Sequence, residues 1–191
     1  MPAAHPVTPF RRVLVAACGS SDVVTLPQSV LAMRFALGLQ VRVVLSAAAA
    51  SFVTAKAFTA VTGEPAYDDG TAEAPGVAHL DLGRWADLVL VMPATANTIG
   101  KAAHGIADSL LTTCVLAASA PVVFVPSMNA AMWDRPAVQR NIEQLRADGH
   151  GVVPPVGVLA LSTGTVTGRG APPIGEVLQW AATFVGERRD G

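Results

Sequence analysis

Cysteine is scarce in this chain: only Cys18 and Cys114 occur in 191 residues. Two thiols so far apart cannot build the disulfide framework of a small secreted domain, and the reading is of a cytoplasmic protein with reduced thiols. Charge is scarce too. Charged residues make up 14% of the chain and the net charge is -1. With no cluster of Lys and Arg to neutralise a row of phosphates, a nucleic-acid partner is excluded. No apolar run approaches the ~20 residues that span a bilayer, so no membrane partner is expected. Met1 to Arg12 carries its charges after its apolar residues and is broken by proline, unlike a signal peptide. No two of His5, His79, His104 and His150 stand at metal-ligand spacing, and no metal is expected. The dinucleotide fingerprint G-x-G-x-x-G and the P-loop are both missing, as are internal repeats and low-complexity tracts.

What is present is apolar sequence, 51% of the chain, enough for one domain to bury a sizeable core. Val13 to Ala17 is a continuous apolar run ending in Cys18-Gly19-Ser20-Ser21, the pattern of a buried parallel strand and its turn. A helix follows from about Pro27 to Gly38, then a strand over 41–45 and an Ala-rich helix running on from Ser46 toward Val61. Residues 62–78 are rich in Gly, Pro and Asp and read as a loop. A third strand over 88–92 leads into one long helix with Ile99, Ala103, Ile106, Leu110 and Cys114 at spacings of three and four. The fourth strand, 122–125, precedes a helix over 137–147. Val152-Val153 is a short fifth strand and 174–185 a last amphipathic helix. Strand, polar turn and helix in repetition give a single domain over 1–191: α/β, a three-layer doubly wound parallel sheet, Rossmann-like with flavodoxin-like order. Residues 1–10 and 187–191 read as disordered tails, and 159–171, rich in Gly and Thr, as a mobile loop.

Polar clusters at strand ends are where such sheets bind ligands. After strand one, Gly19, Ser20 and Ser21 offer close backbone approach and hydroxyl donors, suiting a cofactor with one phosphate, or they form an ordinary tight turn. Ser46 occupies the equivalent place after strand two, where a plain helix N-cap is the simpler reading. Thr95, Ala96, Asn97 and Thr98 leave room for a flat ring against the backbone; Thr and Asn can equally cap the next helix. His79 precedes strand three. A lone histidine is more often structural, but beside a crevice its ordinary pKa of about 6.5 suits a base near neutrality. Asn129, within Met128-Asn129-Ala130-Ala131-Met132-Trp133, caps a helix or lines an amphipathic pocket.

Two segments carry a family resemblance. Pro93-Ala94-Thr95-Ala96-Asn97-Thr98 and Pro126-Ser127-Met128-Asn129-Ala130-Ala131-Met132-Trp133 are complete versions of the P-A-S/T-A-N-T and P-x-M-N-x-x-M-W motifs. His79 to Asp87 and Ile99 to Leu111 extend the similarity to roughly residues 11–185. The chain resembles the homo-oligomeric flavin-containing cysteine decarboxylases. The resemblance implies FMN bound between subunits of a homotrimer, or of four trimers assembled as a dodecamer. It implies Gly19, Ser20, Ser21 and Ser46 on the phosphate side, and Phe52, Thr95, Ala96, Asn97, Thr98, Ser127 and Met128 around the flavin. It assigns His79 as base and Asn129 as ligand of the substrate carboxylate. Ser21-Asp22 departs from the pattern, since relatives more often have small or apolar residues there.

A second departure concerns the branch. Where phosphopantothenoylcysteine decarboxylases of coenzyme A synthesis carry an acid cysteine in a C-G-x-x-G-x-G-R-like segment, counting back from Arg169 gives Ser162. An alkanol is a far weaker acid than a thiol, so the enethiol product should stay oxidised. That is the outcome in the epidermin and mersacidin type of decarboxylase, whose substrate is a precursor peptide with a C-terminal Cys. Ser162, Thr163 and Arg169 would then sit in the loop over the peptide tail, with a solvated loop charge as the plain reading of Arg169. The alternatives are a divergent coenzyme A decarboxylase, a non-catalytic regulatory flavoprotein of the same fold, and a flavin prenyltransferase, which the two motifs disfavour.

Overall fold

The computed structural model describes residues 8–70, 78–160 and 164–188, the side chains of residues 78–80 and 160 excepted. Its centre is a parallel sheet of β1 (Arg12–Ala17), β2 (Gln40–Leu45), β3 (Leu88–Ala94), β4 (Val122–Pro126) and β6 (Gly151–Val152), in the order β2-β1-β3-β4-β6. This is the expected flavodoxin-like order. Side chains alternate across each strand. Val13, Val15, Val43, Leu90 and Val125 therefore pack on one face beneath α1 (Leu26–Leu31), α3 (Ala55–Thr62) and α9 (Ile174–Glu187). Leu14, Val44, Val89, Val91 and Phe124 pack on the other, beneath α4 (Ala78–Trp85), α5 (Ala96–Ala103), α6 (Leu110–Leu116) and α8 (Pro136–Ala147). Both faces of the strands are buried, which is why they read as unbroken apolar runs.

Several local expectations are corrected. The Ala-rich helix breaks into α2 (Ala47–Ala50) and α3, because Thr54 accepts from the Ala57 N–H and starts a new helix. The long helix after β3 is likewise two, and Ile106 between them is 47% exposed rather than core. A capping box of Ser109 and Thr112 begins α6. Within the expected loop over 62–78, Tyr67 pairs with β2: the Leu45 N–H donates to the Tyr67 carbonyl at 2.7 Å. The N-terminal tail is shorter than expected, since Phe10 is buried in the core. Glu187 ends α9, and Arg188 donates to the Gly149 carbonyl. The expected loop over 159–171 contains β8 (Thr165–Gly170), antiparallel to β7 (Val156–Ala160) and to β5 (Met128–Asn129), a small second sheet. Ser162 and Thr163 lie outside the described residues.

Candidate active site

Two clefts open at the carboxyl ends of the strands, on either side of the turn after β1. Gly19 lines the first and Ser20 the second.

The first cleft has a volume of about 430 Å³ and gathers Gly19, Ser46, Thr95, Asn97, Thr98 and Lys101. Close packing of two turns shapes it. A β-carbon on Gly19 would stand 2.4 Å from the β-carbon of Ala48. Carbon atoms in contact stand about 3.5–4.0 Å apart, so this position admits no side chain. Ser46 and Thr95 do act as N-caps, accepting from the Ala49 and Thr98 N–H groups at 3.2 and 3.3 Å. Capping uses an acceptor lone pair and leaves the Ser46 hydroxyl its proton to donate, while the Thr95 and Thr98 hydroxyls share a further hydrogen bond at 3.2 Å. The far wall was not legible in the sequence. Lys101 reaches across to Asp108 at 2.7 Å, and Asp69 accepts from the Leu110 N–H at 2.7 Å. The Lys101–Asp108 pair bridges the break between two helices, where no periodic spacing announces it. Beneath the cleft Cys18 is buried. Burial pushes its thiol up to about 11, against hydrogen bonds to the Thr98 side chain and the Thr95 backbone that act the other way.

The second cleft is smaller, about 190 Å³, and gathers Ser20, Asp22, Ser127, Met128, Asn129 and Arg169, with Ser21 at its edge, beside β7 and β8. Its hydrogen bonds have a fixed direction. An ionised carboxylate only accepts, so Ser127 donates to Asp22 at 2.8 Å; its one proton spent, Ser127 accepts from Ser20 at 2.6 Å. The Ser20 proton is thus spent on Ser127 and the Ser127 proton on Asp22. Asn129 caps α7 (Ala130–Trp133), its Oδ1 accepting from the Ala131 N–H at 2.7 Å. That bond fixes the amide orientation and leaves the two Nδ2 protons for a ligand.

The register of the small sheet decides which side chains share a face. Asn129 pairs with Gly168, and Met128 pairs with Arg169. Directly opposed residues point the same way, so Arg169 shares the face of Met128, and Asn129 the opposite one. Both residues line this cleft, but their side chains leave the small sheet from opposite faces. Asp22 lies on the Asn129 side, its Oδ2 only 2.9 Å from where a β-carbon on Gly170 would be.

The remaining expected residues are placed as follows. Ala96 opens α5 and packs against the core, and Phe52 is 54% exposed and lines neither cleft. His79 is on α4, a helix the sequence did not suggest, and its side chain lies outside the described part. Among the described residues no group of His, Cys, Asp and Glu could hold a metal ion, and no helix is long and apolar enough to cross a membrane.

A parallel sheet with polar clefts at its carboxyl edge defines a doubly wound α/β protein with a ligand site at the strand ends. Residues 5–186 match the flavoprotein family. The chain belongs to that family. Among its relatives, mersacidin decarboxylase of Bacillus sp. is 35% identical over 157 residues, covering 82% of this chain and 80% of the relative. The coenzyme A biosynthesis bifunctional protein CoaBC of Bacillus subtilis is 48% identical over 120 residues. That match covers 62% of this chain and only 30% of CoaBC, so the chain spans about a third of that relative's length. Among solved structures, the FMN-dependent cysteine decarboxylase SpaF has a TM-score of 0.78 at 39% identity, covering 91% of this chain and 97% of SpaF. EpiD complexed with the substrate peptide DSYTC has a TM-score of 0.80 at 26% identity, covering 90% and 98%.

Proposed function

We propose that this chain is an FMN-dependent decarboxylase that converts the C-terminal cysteine of a ribosomally made precursor peptide to an aminoenethiol. The observation that carries the oxidised outcome is the state of its thiols. Returning electrons to the enethiol needs an acid in contact with it, and only Cys18 and Cys114 exist. Both are buried, and burial pushes their thiols up to about 11 and about 12. Neither lines the second cleft. With Ser162 at the place of the acid cysteine, no thiol is positioned for that step.

The residues of the first cleft fit FMN. The packing of Gly19 against Ala48 makes a cradle a β-carbon would fill, and hydroxyls, the Asn97 amide and the Asp108-paired Lys101 surround a cavity of small-molecule size, with Asp69 and Asp108 on its far wall. Gly19 and Ser46 are the residues to hold the phosphate, and Thr95, Ala96, Asn97 and Thr98 the ring. Ser20, whose proton goes to Ser127, is not a phosphate donor in this arrangement. Phe52 lines neither cleft and is 54% exposed; in a homotrimer with FMN between subunits it would be free to face the flavin of a neighbouring subunit. FMN, when bound, supplies the two-electron oxidation of the cysteine CH2–SH to a thioaldehyde, whose C=S accepts the electrons released as CO2 leaves. The protein's part is positioning and one proton. The Asn129 Nδ2 holds the carboxylate, and His79 takes the thiol proton.

A second reading, decarboxylation of phosphopantothenoylcysteine, is favoured by the 48% identity to CoaBC. One experiment separates the two. The yellow protein is incubated with short peptides ending in cysteine and with phosphopantothenoylcysteine, and products are read by mass spectrometry. Loss of CO2 plus two hydrogens from a peptide is the expected result. Loss of CO2 alone from phosphopantothenoylcysteine would overturn it, and no change with either would favour a regulatory flavoprotein.

A further inference from the structure

The second cleft holds a charge that carboxylate binding does not call for. Asp22 forms no ion pair among the described residues, and its only side-chain partner there is the Ser127 hydroxyl, on Oδ2. Its Oδ1 is left to accept from a ligand. Among the described residues the one cation lining this cleft, Arg169, starts from the opposite face of the small sheet by the register of β5 and β8, and its guanidinium lies beside Gly157, 3.9 Å from where a β-carbon there would be. Asn129 can bind a carboxylate, but its amide is neutral. Seating a substrate carboxylate on the Asn129 face therefore puts two negative charges side by side, with the cation of this cleft of about 190 Å³ on the other face.

We infer that Asp22 is a specificity-determining residue: the cleft selects a substrate that brings a cationic group beside its terminal carboxylate. This rests on the cysteine-peptide reading above. In a peptide, the cation is a Lys or Arg side chain immediately before the terminal cysteine; the same chemistry is present in free cysteine as its α-ammonium. A cation at this place relieves the like-charge contact and accepts the vacant Asp22 oxygen as a partner. An acidic residue adds a third negative charge. At a surface cleft each such interaction amounts to roughly a factor of five to ten, screened by salt.

The test compares kcat/KM of the flavin-loaded protein for three peptides of one sequence ending in Lys-Cys, Ala-Cys or Glu-Cys, with free cysteine as a fourth substrate. Lys-Cys should exceed Glu-Cys by at least about ten-fold at low salt, with Ala-Cys between, and the ratio should shrink as salt rises. In Asp22→Asn, of the same shape, the ratio should fall to within about three-fold of unity. Equal turnover of all three peptides by the native protein overturns the role of Asp22 and leaves the peptide reading standing. No turnover of any peptide overturns that reading and this one with it. Free cysteine turned over faster than every peptide would make the ammonium the cation recognised and overturn the choice of a basic side chain. Should Asp22→Asn not fold, the charge and salt dependence of the native protein decides alone.

Discussion

Replacing Gly19 by alanine tests whether the two turns that shape the first cleft are as tightly locked as the structure has them. The new β-carbon would stand 2.4 Å from the Ala48 β-carbon, 3.0 Å from its carbonyl carbon and 3.2 Å from its Cα. Relief requires the β1 turn and the start of α2 to separate by roughly 1 Å. Both belong to a packed sheet edge, and overpacking of this kind costs about 1–3 kcal/mol. For a domain of this size that lowers the unfolding midpoint by roughly 2–12 °C. Ala48→Gly removes the nearest contact and leaves the two backbone ones, so the double variant should recover part of the loss, with a coupling of about 1 kcal/mol. Midpoints come from circular dichroism, and flavin content from visible absorbance after gel filtration. If the cofactor lies across this turn, Gly19→Ala should also lose flavin, and Ala48→Gly should partly restore it. A Gly19→Ala protein that unfolds at the native midpoint with full flavin would refute both the packing and the assignment of the cleft.

Asp87 is held at about 2, below an ordinary 3.8, chiefly by hydrogen bonds from the Arg12 guanidinium at 2.6 and 3.1 Å. A depressed carboxyl stabilises the fold fully above its unfolded pKa and loses that contribution as pH falls through the folded value. With Arg12 44% exposed, solvent screening reduces the gain to about 1 kcal/mol. Asp87→Asn should therefore lower stability by about that much at pH 7, with a gap that closes between about pH 4 and 2 in urea titrations; a gap that persists at pH 2 would exclude the charge as its source. Cys18 and Cys114, buried with raised thiols, should react with a thiol reagent at pH 8 only after denaturation, and fast labelling of the native protein would contradict their burial. Asn129→Asp keeps a good N-cap and makes the carboxylate ligand anionic, so turnover should fall by about a hundred-fold or more with little change in midpoint. Asn129→Ala should lose the cap as well, about 0.5–2 kcal/mol. His79→Ala should abolish turnover while the protein stays yellow, and a colourless product would place His79 in assembly rather than in proton transfer.

How much of this was legible in the sequence follows from what each signal physically reports. Continuous apolar runs report strands buried on both faces, so β1 to β4 and their order could be read, and the polar residues just beyond them located the clefts. Spacing alone cannot report a break in a helix whose apolar stripe resumes in phase. Ile106 and Leu110 continue the period of Ile99 and Ala103, and only the cap at Ser109, with Thr112 three residues on, marks the new start. The small sheet was illegible for a different reason. Strand β8 reads Thr-Val-Thr-Gly-Arg-Gly, and Val166, its one apolar side chain, is among its three exposed first positions, so it has no apolar face to announce it.

That hidden strand changes how the site is understood. Taken as a line of motifs, Gly19, Ser20 and Ser127 fall to the cofactor and Asn129 to the substrate, with nothing to say where one site ends and the other begins. Glycines at 168 and 170 let β8 lie close against Val158 and Asp22, and pairing with β5 fixes which side Asn129 faces. The turn after β1 thereby becomes a partition: Gly19 opens toward the larger cleft, while Ser20 is drawn by Ser127 toward Asp22 in the smaller one. A cofactor with a phosphate and a substrate with a carboxylate are both anions, and a common pocket would set them against each other. Under the proposed function, two clefts back to back on one turn would hold them apart at short range, the arrangement a reaction between them requires.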